Sequence, residues 1–210
     1  MRILVQKFGG TSLSTYHARE HAIRHIKRAM ADGVRVVVVV SAMGRKGDPY
    51  ATDTLLQWIQ TTGGDVPARE KDLLLSCGEI ISAVTLCAQL RRHGISSRVL
   101  TGAQAGIRTD SGHGNAHVLS IEPSRILMTL NQYEICIVTG FQGCDQDLEI
   151  TTLGRGGSDT SATALAAALH AEMVEIYTDV SGVLTADPKI VNDAKPLSVL
   201  TYAEICNLAY

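Results

Sequence analysis

The chain reads as an α/β protein, a mainly parallel sheet with crossover helices, and two observations predict this. Strand-like apolar runs alternate with segments whose apolar residues recur at helical spacing. One of those runs, residues 34–41, is an almost unbroken line of valines, as in a strand covered on both faces.

The elements follow in order. Residues 3–8 form the first strand. Ile23, Ile26 and Met30 lie at helical spacing, and Gly33 stops that helix before the valine strand, which completes a βαβ unit. Residues 68–92 read as one long helix, with Leu74, Cys77, Ile81, Val84 and Leu90 expected on its buried side. Gly78-Glu79 interrupts it: the glycine serves either close approach of a ligand or tight packing, and Glu79 is either solvated or aimed into a site. Residues 102–117, rich in Gly, Asn, Asp and Ser, read as a β-rich excursion or a flexible loop rather than a core element. Strands at 134–139 and 173–178 flank a helix at 158–170, again parallel strands with a crossover. Thr201-Tyr202-Ala203-Glu204 has the capping-box pattern, so a further helix starts there.

Composition narrows the function classes. With 210 residues, 45% of them hydrophobic, and a net charge of −2, the chain is large enough to bury a substantial core. Aromatic residues make up 4% and no basic patch accompanies them, which argues against nucleic acid. The N-terminal apolar run is too short for a signal peptide and no run suits a membrane span, so cytoplasm is the expected compartment. Five cysteines, Cys77, Cys87, Cys136, Cys144 and Cys206, contain no CxxC pair and are expected as buried reduced thiols. His17, His21 and His25 recur every four residues, but without an acidic or thiol partner they read as solvated helix surface. His113 and His117 fall in a loop.

Residues 151–162, Thr-Thr-Leu-Gly-Arg-Gly-Gly-Ser-Asp-Thr-Ser-Ala, carry the strongest chemical signal. A glycine-rich turn runs into a helix whose first N–H groups point toward negative charge, and Arg155 adds a planar fork for carboxylate or phosphate. Asp159 suits a helix N-terminus as a cap, yet capping alone needs no cluster of glycines. Neither a Walker loop nor a Rossmann fingerprint fits the spacing. Further glycine turns follow the strands, at Lys7-Phe8-Gly9-Gly10-Thr11-Ser12, Ser41-Ala42-Met43-Gly44 and residues 140–143, where ligand crevices of open sheets lie. Lys7 there either meets a phosphate or closes an edge strand.

These blocks, with Ser76-Cys77-Gly78-Glu79, Tyr177-Thr178-Asp179-Val180-Ser181-Gly182-Val183 and Thr185-Ala186-Asp187-Pro188, together closely resemble aspartokinases of the amino acid kinase family, in the family's order across essentially the whole chain. The resemblance implies an eight-stranded, three-layer αβα sandwich over residues 1–210 and transfer of the γ-phosphoryl group of ATP, with Mg²⁺, to the β-carboxylate of L-aspartate. It implies that Lys7 contacts the transferring phosphoryl group and that Asp159 orients it. Phe8, Gly9 and Gly10 would meet ATP, the two glycines through backbone N–H groups. Glu79 and Arg155 would hold the amino and α-carboxylate groups of aspartate, with Ser41, Thr52 and Ser158 lining its pocket. Thr178, Asp179, Leu184 and Lys189 would contact the nucleotide. Leu184 stands where many relatives have tyrosine and Lys189 where arginine is usual, so one positive charge is kept without its fork. Relatives continue into further kinase strands and paired ACT domains, so this chain is expected to lack its C-terminal end and to form a homodimer or an assembly with an ACT-containing region. The alternatives are a non-catalytic fragment or partner of the same fold, or another amino acid kinase such as glutamate 5-kinase or acetylglutamate kinase.

Overall fold

A computed structural model describes residues 1–180, 182–186, 190–191 and 193–209, the side chains of 206–209 excepted. The chain divides into two compact units, residues 1–177 and 178–210.

In the first unit the elements run β1 (Ile3–Phe8), α1 (Gly10–Leu13), α2 (Tyr16–Ala31), β2 (Arg35–Val40), α3 (Thr52–Gln60), α4 (Ala68–Arg92), β3 (Ser97–Leu100), β4 (Ile107–Thr109), β5 (Val118–Ile121), α5 (Ser124–Gln132), β6 (Ile135–Thr139), β7 (Gln142–Cys144), β8 (Ile150–Thr152), α6 (Gly157–Ala168) and β9 (Met173–Tyr177). Five strands form one sheet in the order β3-β6-β2-β1-β9, all parallel. The expected α/β class and βαβ connections are present.

The valine strand shows why this sheet needs helices on both faces. Side chains alternate across a strand, so Val36, Val38 and Val40 pack with Ile23 and Ile26 of α2 and Leu86 of α4, while Val37 and Val39 pack with Ile126 of α5 and Leu165 of α6. All five valines are fully buried. Burial on both faces is the setting of a parallel sheet, because each crossover helix covers one face.

The count of eight strands is corrected, the αβα class being kept. Among the described residues β4, β5, β7 and β8 form a separate mixed sheet in the order β5-β4-β7-β8. The excursion at 102–117 supplies β4 to it and buries Ala105 and Ile107, so it is a core element rather than a flexible loop.

The long helix has the expected bounds, but its buried face is turned by about one residue. Val84 and Cys77 are exposed, whereas Asp72, Leu75, Ser76, Glu79, Ser82, Ala83, Leu86 and Gln89 are buried together with Leu90. The inward face is half polar, so apolar periodicity pointed to its flank. Gly78 does not break the helix. A Cβ there would come within 2.8 Å of the Ala42 side chain and 3.0 Å of the Tyr50 carbonyl, so the glycine is explained by tight packing.

Cysteines follow the same correction. Cys136 and Cys144 are buried and burial pushes the Cys136 thiol up to about 12, but Cys77 is exposed and the side chain of Cys206 lies outside the described residues. His17, His21 and His25 are exposed, as expected.

In the second unit, Leu184 bridges Pro196, and α7 (Tyr202–Ala209) follows. Thr201 and Glu204 form the capping box: the Thr201 amide donates to Glu204 Oε2 at 2.7 Å, and the Glu204 amide donates to Thr201 Oγ1 at 3.3 Å.

Candidate active site

Lys7, at the carboxyl end of β1, shares the sheet face of Ile3 and Val5, which pack under α6. Its strand lies inside the sheet between β2 and β9, so the edge-strand reading of this lysine is removed. Only 7% of Lys7 is exposed, and its Nζ lies 2.8 Å from Asp159 Oδ1, in the first turn of α6. Asp159 is 47% exposed in its side chain, so the pair is dry on the lysine side and open on the carboxylate side.

The first glycine turn is fixed by close contact with the loop after β2. Gly44 N–H donates to Gly10 O at 3.0 Å, and a Cβ on Gly10 would sit 2.5 Å from the Ala42 carbonyl oxygen and 2.7 Å from that of Gly44. Gly10→Ala should therefore cost about 1–3 kcal/mol in urea unfolding, because neither backbone can yield. Gly9 and Gly10 differ in what they offer. The Gly9 N–H already donates to the Tyr177 carbonyl at 3.1 Å, whereas Gly10 opens α1, where an N–H has no intrahelical acceptor. The Phe8 side chain is 1% exposed and stacked on Tyr177 with ring centroids 4.7 Å apart, which leaves its backbone as the part that could meet a ligand.

Glu79 enters from α4 and is 2% exposed. Its Oε1 accepts the Ala42 N–H at 3.0 Å, while Oε2 is buried without a partner. Burial without a cation pushes its carboxyl up to about 8, which leaves it protonated at neutral pH in the protein alone. The solvated reading of Glu79 is thereby excluded.

Arg155 and Ser158 come from the turn and first helical residues that follow β8. Arg155 is exposed and has no protein partner among the described residues. Ser158 is 9% exposed. Lys7, Gly10, Ser41, Thr52, Glu79, Arg155, Ser158 and Asp159 all line one cleft of about 360 Å³. Two cations, one orphaned buried carboxylate and a helix N-terminus face a common space, which suits a small zwitterion beside a polyanion.

Not every expected residue is placed there. Thr178, Asp179 and Leu184 belong to the second unit, where Thr178 Oγ1 donates to Asp179 Oδ1 at 3.2 Å, and Lys189 lies outside the described residues. One charged residue went unread in the sequence. Asp72, fully buried on α4, accepts four hydrogen bonds from segments flanking the glycine-rich turn. A carboxylate seven residues before Glu79 on one helix face was its only signal.

A parallel α/β core with a charged cleft at the strand ends is an architecture that binds small anionic ligands, and the chain belongs to the amino acid kinase family, whose model matches residues 2–210. Within it, the chain is 54% identical over 210 residues to aspartokinase 1 of Bacillus subtilis, covering all of this chain and 52% of that protein. It superposes on the aspartate kinase of Synechocystis with a TM-score of 0.82 at 43% identity, over 98% of this chain and 33% of that one. Aspartokinase III of E. coli, solved in complex with aspartate and ADP, gives a TM-score of 0.81 at 28% identity, over 99% of this chain and 56% of that one. The chain thus spans about half the length of the curated relatives it matches.

Proposed function

We propose that this chain carries the substrate cleft of an aspartokinase, in which the γ-phosphoryl group of ATP passes to the β-carboxylate of L-aspartate. The observation that carries the reading is the convergence of Lys7, Glu79, Arg155 and Asp159 on one cleft. The bound aspartate and ADP of the E. coli relative support it.

An aspartate β-carboxylate, with an ordinary pKa of about 3.9, is already a nucleophile at neutral pH, so no general base is required. The barrier is repulsion between two anions. Lys7 would screen the transferring phosphoryl group, with Asp159 holding its ammonium in place, and the Gly10 N–H and the start of α6 would add fixed dipoles. Glu79 Oε2 would take the substrate ammonium and Arg155 its α-carboxylate, between Ser41, Thr52 and Ser158. Mg²⁺ would add charge neutralisation at the phosphates. Among the described residues no three His, Cys, Asp or Glu side chains converge, so phosphate oxygens would supply most of its ligands, with Asp159 the partly exposed carboxylate nearby. Thr178, Asp179, Leu184 and Lys189 are proposed for the nucleotide, and cytoplasm as the compartment. A homodimer, or assembly with an ACT-containing region, is proposed.

Trapping the acyl phosphate with hydroxylamine tests the reading. A version extended past Tyr210 should form aspartyl hydroxamate only with ATP and aspartate together, and hydroxamate from glutamate in place of aspartate would contradict it. In the same assay Arg155→Ala should raise the aspartate KM about 10–100-fold, the loss of one charged hydrogen-bonding group, with ATP KM little changed. Unchanged aspartate kinetics would remove Arg155 from its role.

A further inference from the structure

We infer that Asp72 is a positioning residue that fixes the Arg155 turn at a set distance from Glu79, an inference that rests on the proposed aspartate site. Asp72 Oδ2 accepts from His113 Nδ1, the Gly114 amide and the Thr152 amide, each at 3.0 Å, and Oδ1 accepts from Thr152 Oγ1 at 2.6 Å. Such complete hydrogen bonding offsets the cost of burying this carboxylate, and here every donor comes from outside its own helix.

What those donors hold is the support of the glycine-rich turn. Thr152 ends β8, three residues before Arg155, and its carbonyl accepts the Ala116 amide at 2.8 Å. Gly154 packs so closely on the Asn115 side chain that a Cβ would overlap its oxygen. The 113–116 loop and the 152–155 segment therefore move as one body, and Asp72 pins that body to α4.

The same helix face carries Glu79 two turns later, about 10 Å along the axis. Between them the Ser76 carbonyl accepts Gln142 Nε2 at 3.1 Å, tying β7 to the same face. Helix α4 is thus a rigid spacer. Its middle holds the carboxylate proposed for the substrate ammonium, and its N-terminal end sets where the guanidinium proposed for the α-carboxylate is presented.

Asp72→Asn is the test, since the amide keeps the shape and one acceptor. In the 210-residue chain, amide hydrogen exchange should accelerate at least tenfold at Gly114 and from Thr152 through Gly157, including amides Asp72 does not touch, while β1 and β2 keep their protection. An unchanged turn, or acceleration spread equally over the sheet, overturns the inference whatever the ligand. In titrations with L-aspartate, Asp72→Asn should raise Kd about tenfold in the wild-type background and less than twofold in Arg155→Ala, because the effect passes through that arginine. Multiplying effects would overturn it. Failure of the wild-type chain to bind aspartate would count against the proposed function, and the exchange pattern would still decide the role of Asp72.

Discussion

Replacing Lys7 by methionine is expected to lower kcat by about 10²–10³-fold in the extended protein, with the aspartate KM changed only a few-fold. The lysine is the most deeply buried cation of the cleft, and its charge is held by Asp159 rather than by solvent. A positive charge fixed in a low-dielectric position needs no reorganisation when charge shifts from the leaving oxygen to the phosphoryl group. Its contribution therefore grows toward the transition state, which marks a kcat residue. Methionine fills nearly the same volume on an interior strand. Asp159 is half exposed overall, but the Oδ1 that meets Lys7 is itself buried, so thermal unfolding should also show a loss of about 1–3 kcal/mol. Steady-state kinetics with varied aspartate check this, and a rise in KM at unchanged kcat would assign Lys7 to ground-state binding instead.

Glu79→Gln should raise the aspartate KM by about 10²-fold, the loss of a buried charged partner for an ammonium. A pH signature accompanies it. Because burial pushes the Glu79 carboxyl up to about 8, aspartate binding at neutral pH must expel a proton. The wild-type aspartate KM should fall as pH rises toward 8 and level off above it, and the Gln variant should lose that dependence. Stability moves the other way. A carboxyl whose folded pKa is raised contributes stability fully present below the unfolded value and lost as pH rises through about 8, so Glu79→Gln should be more stable than wild type at pH 9. A variant less stable at both pH 6 and pH 9 would contradict the assignment of an uncompensated buried charge.

The parallel sheet was legible because burial on both faces leaves no alternation in a strand, and residues 35–40 show none but valine after Arg35. Helix α4 was legible in extent but not in orientation. A helix that crosses a site turns polar groups inward, and Asp72, Ser76, Glu79, Ser82 and Gln89 are invisible to a reading that seeks apolar stripes. Lys7, Glu79, Arg155 and Asp159 were found through glycine turns and family resemblance, since each stands in a local pattern. Asp72 was not, because its partners lie 41 to 80 residues away and only the folded chain brings them together. Gly9 and Gly10 looked equivalent in sequence. The β9 backbone distinguishes them by claiming the Gly9 amide. Of the separate sheet of β4, β5, β7 and β8 only the β-rich character of 102–117 was read, since strands of three or four residues carry too little period to register.

A crystal structure with L-aspartate and a non-hydrolysable ATP analogue bound together puts the whole account at risk. The expected density has the aspartate ammonium about 3 Å from Glu79 Oε2, its α-carboxylate on Arg155, and its β-carboxylate aimed at a terminal phosphate on Lys7. Aspartate seated with either charged end away from Glu79 and Arg155, or a terminal phosphate out of reach of Lys7, would contradict it.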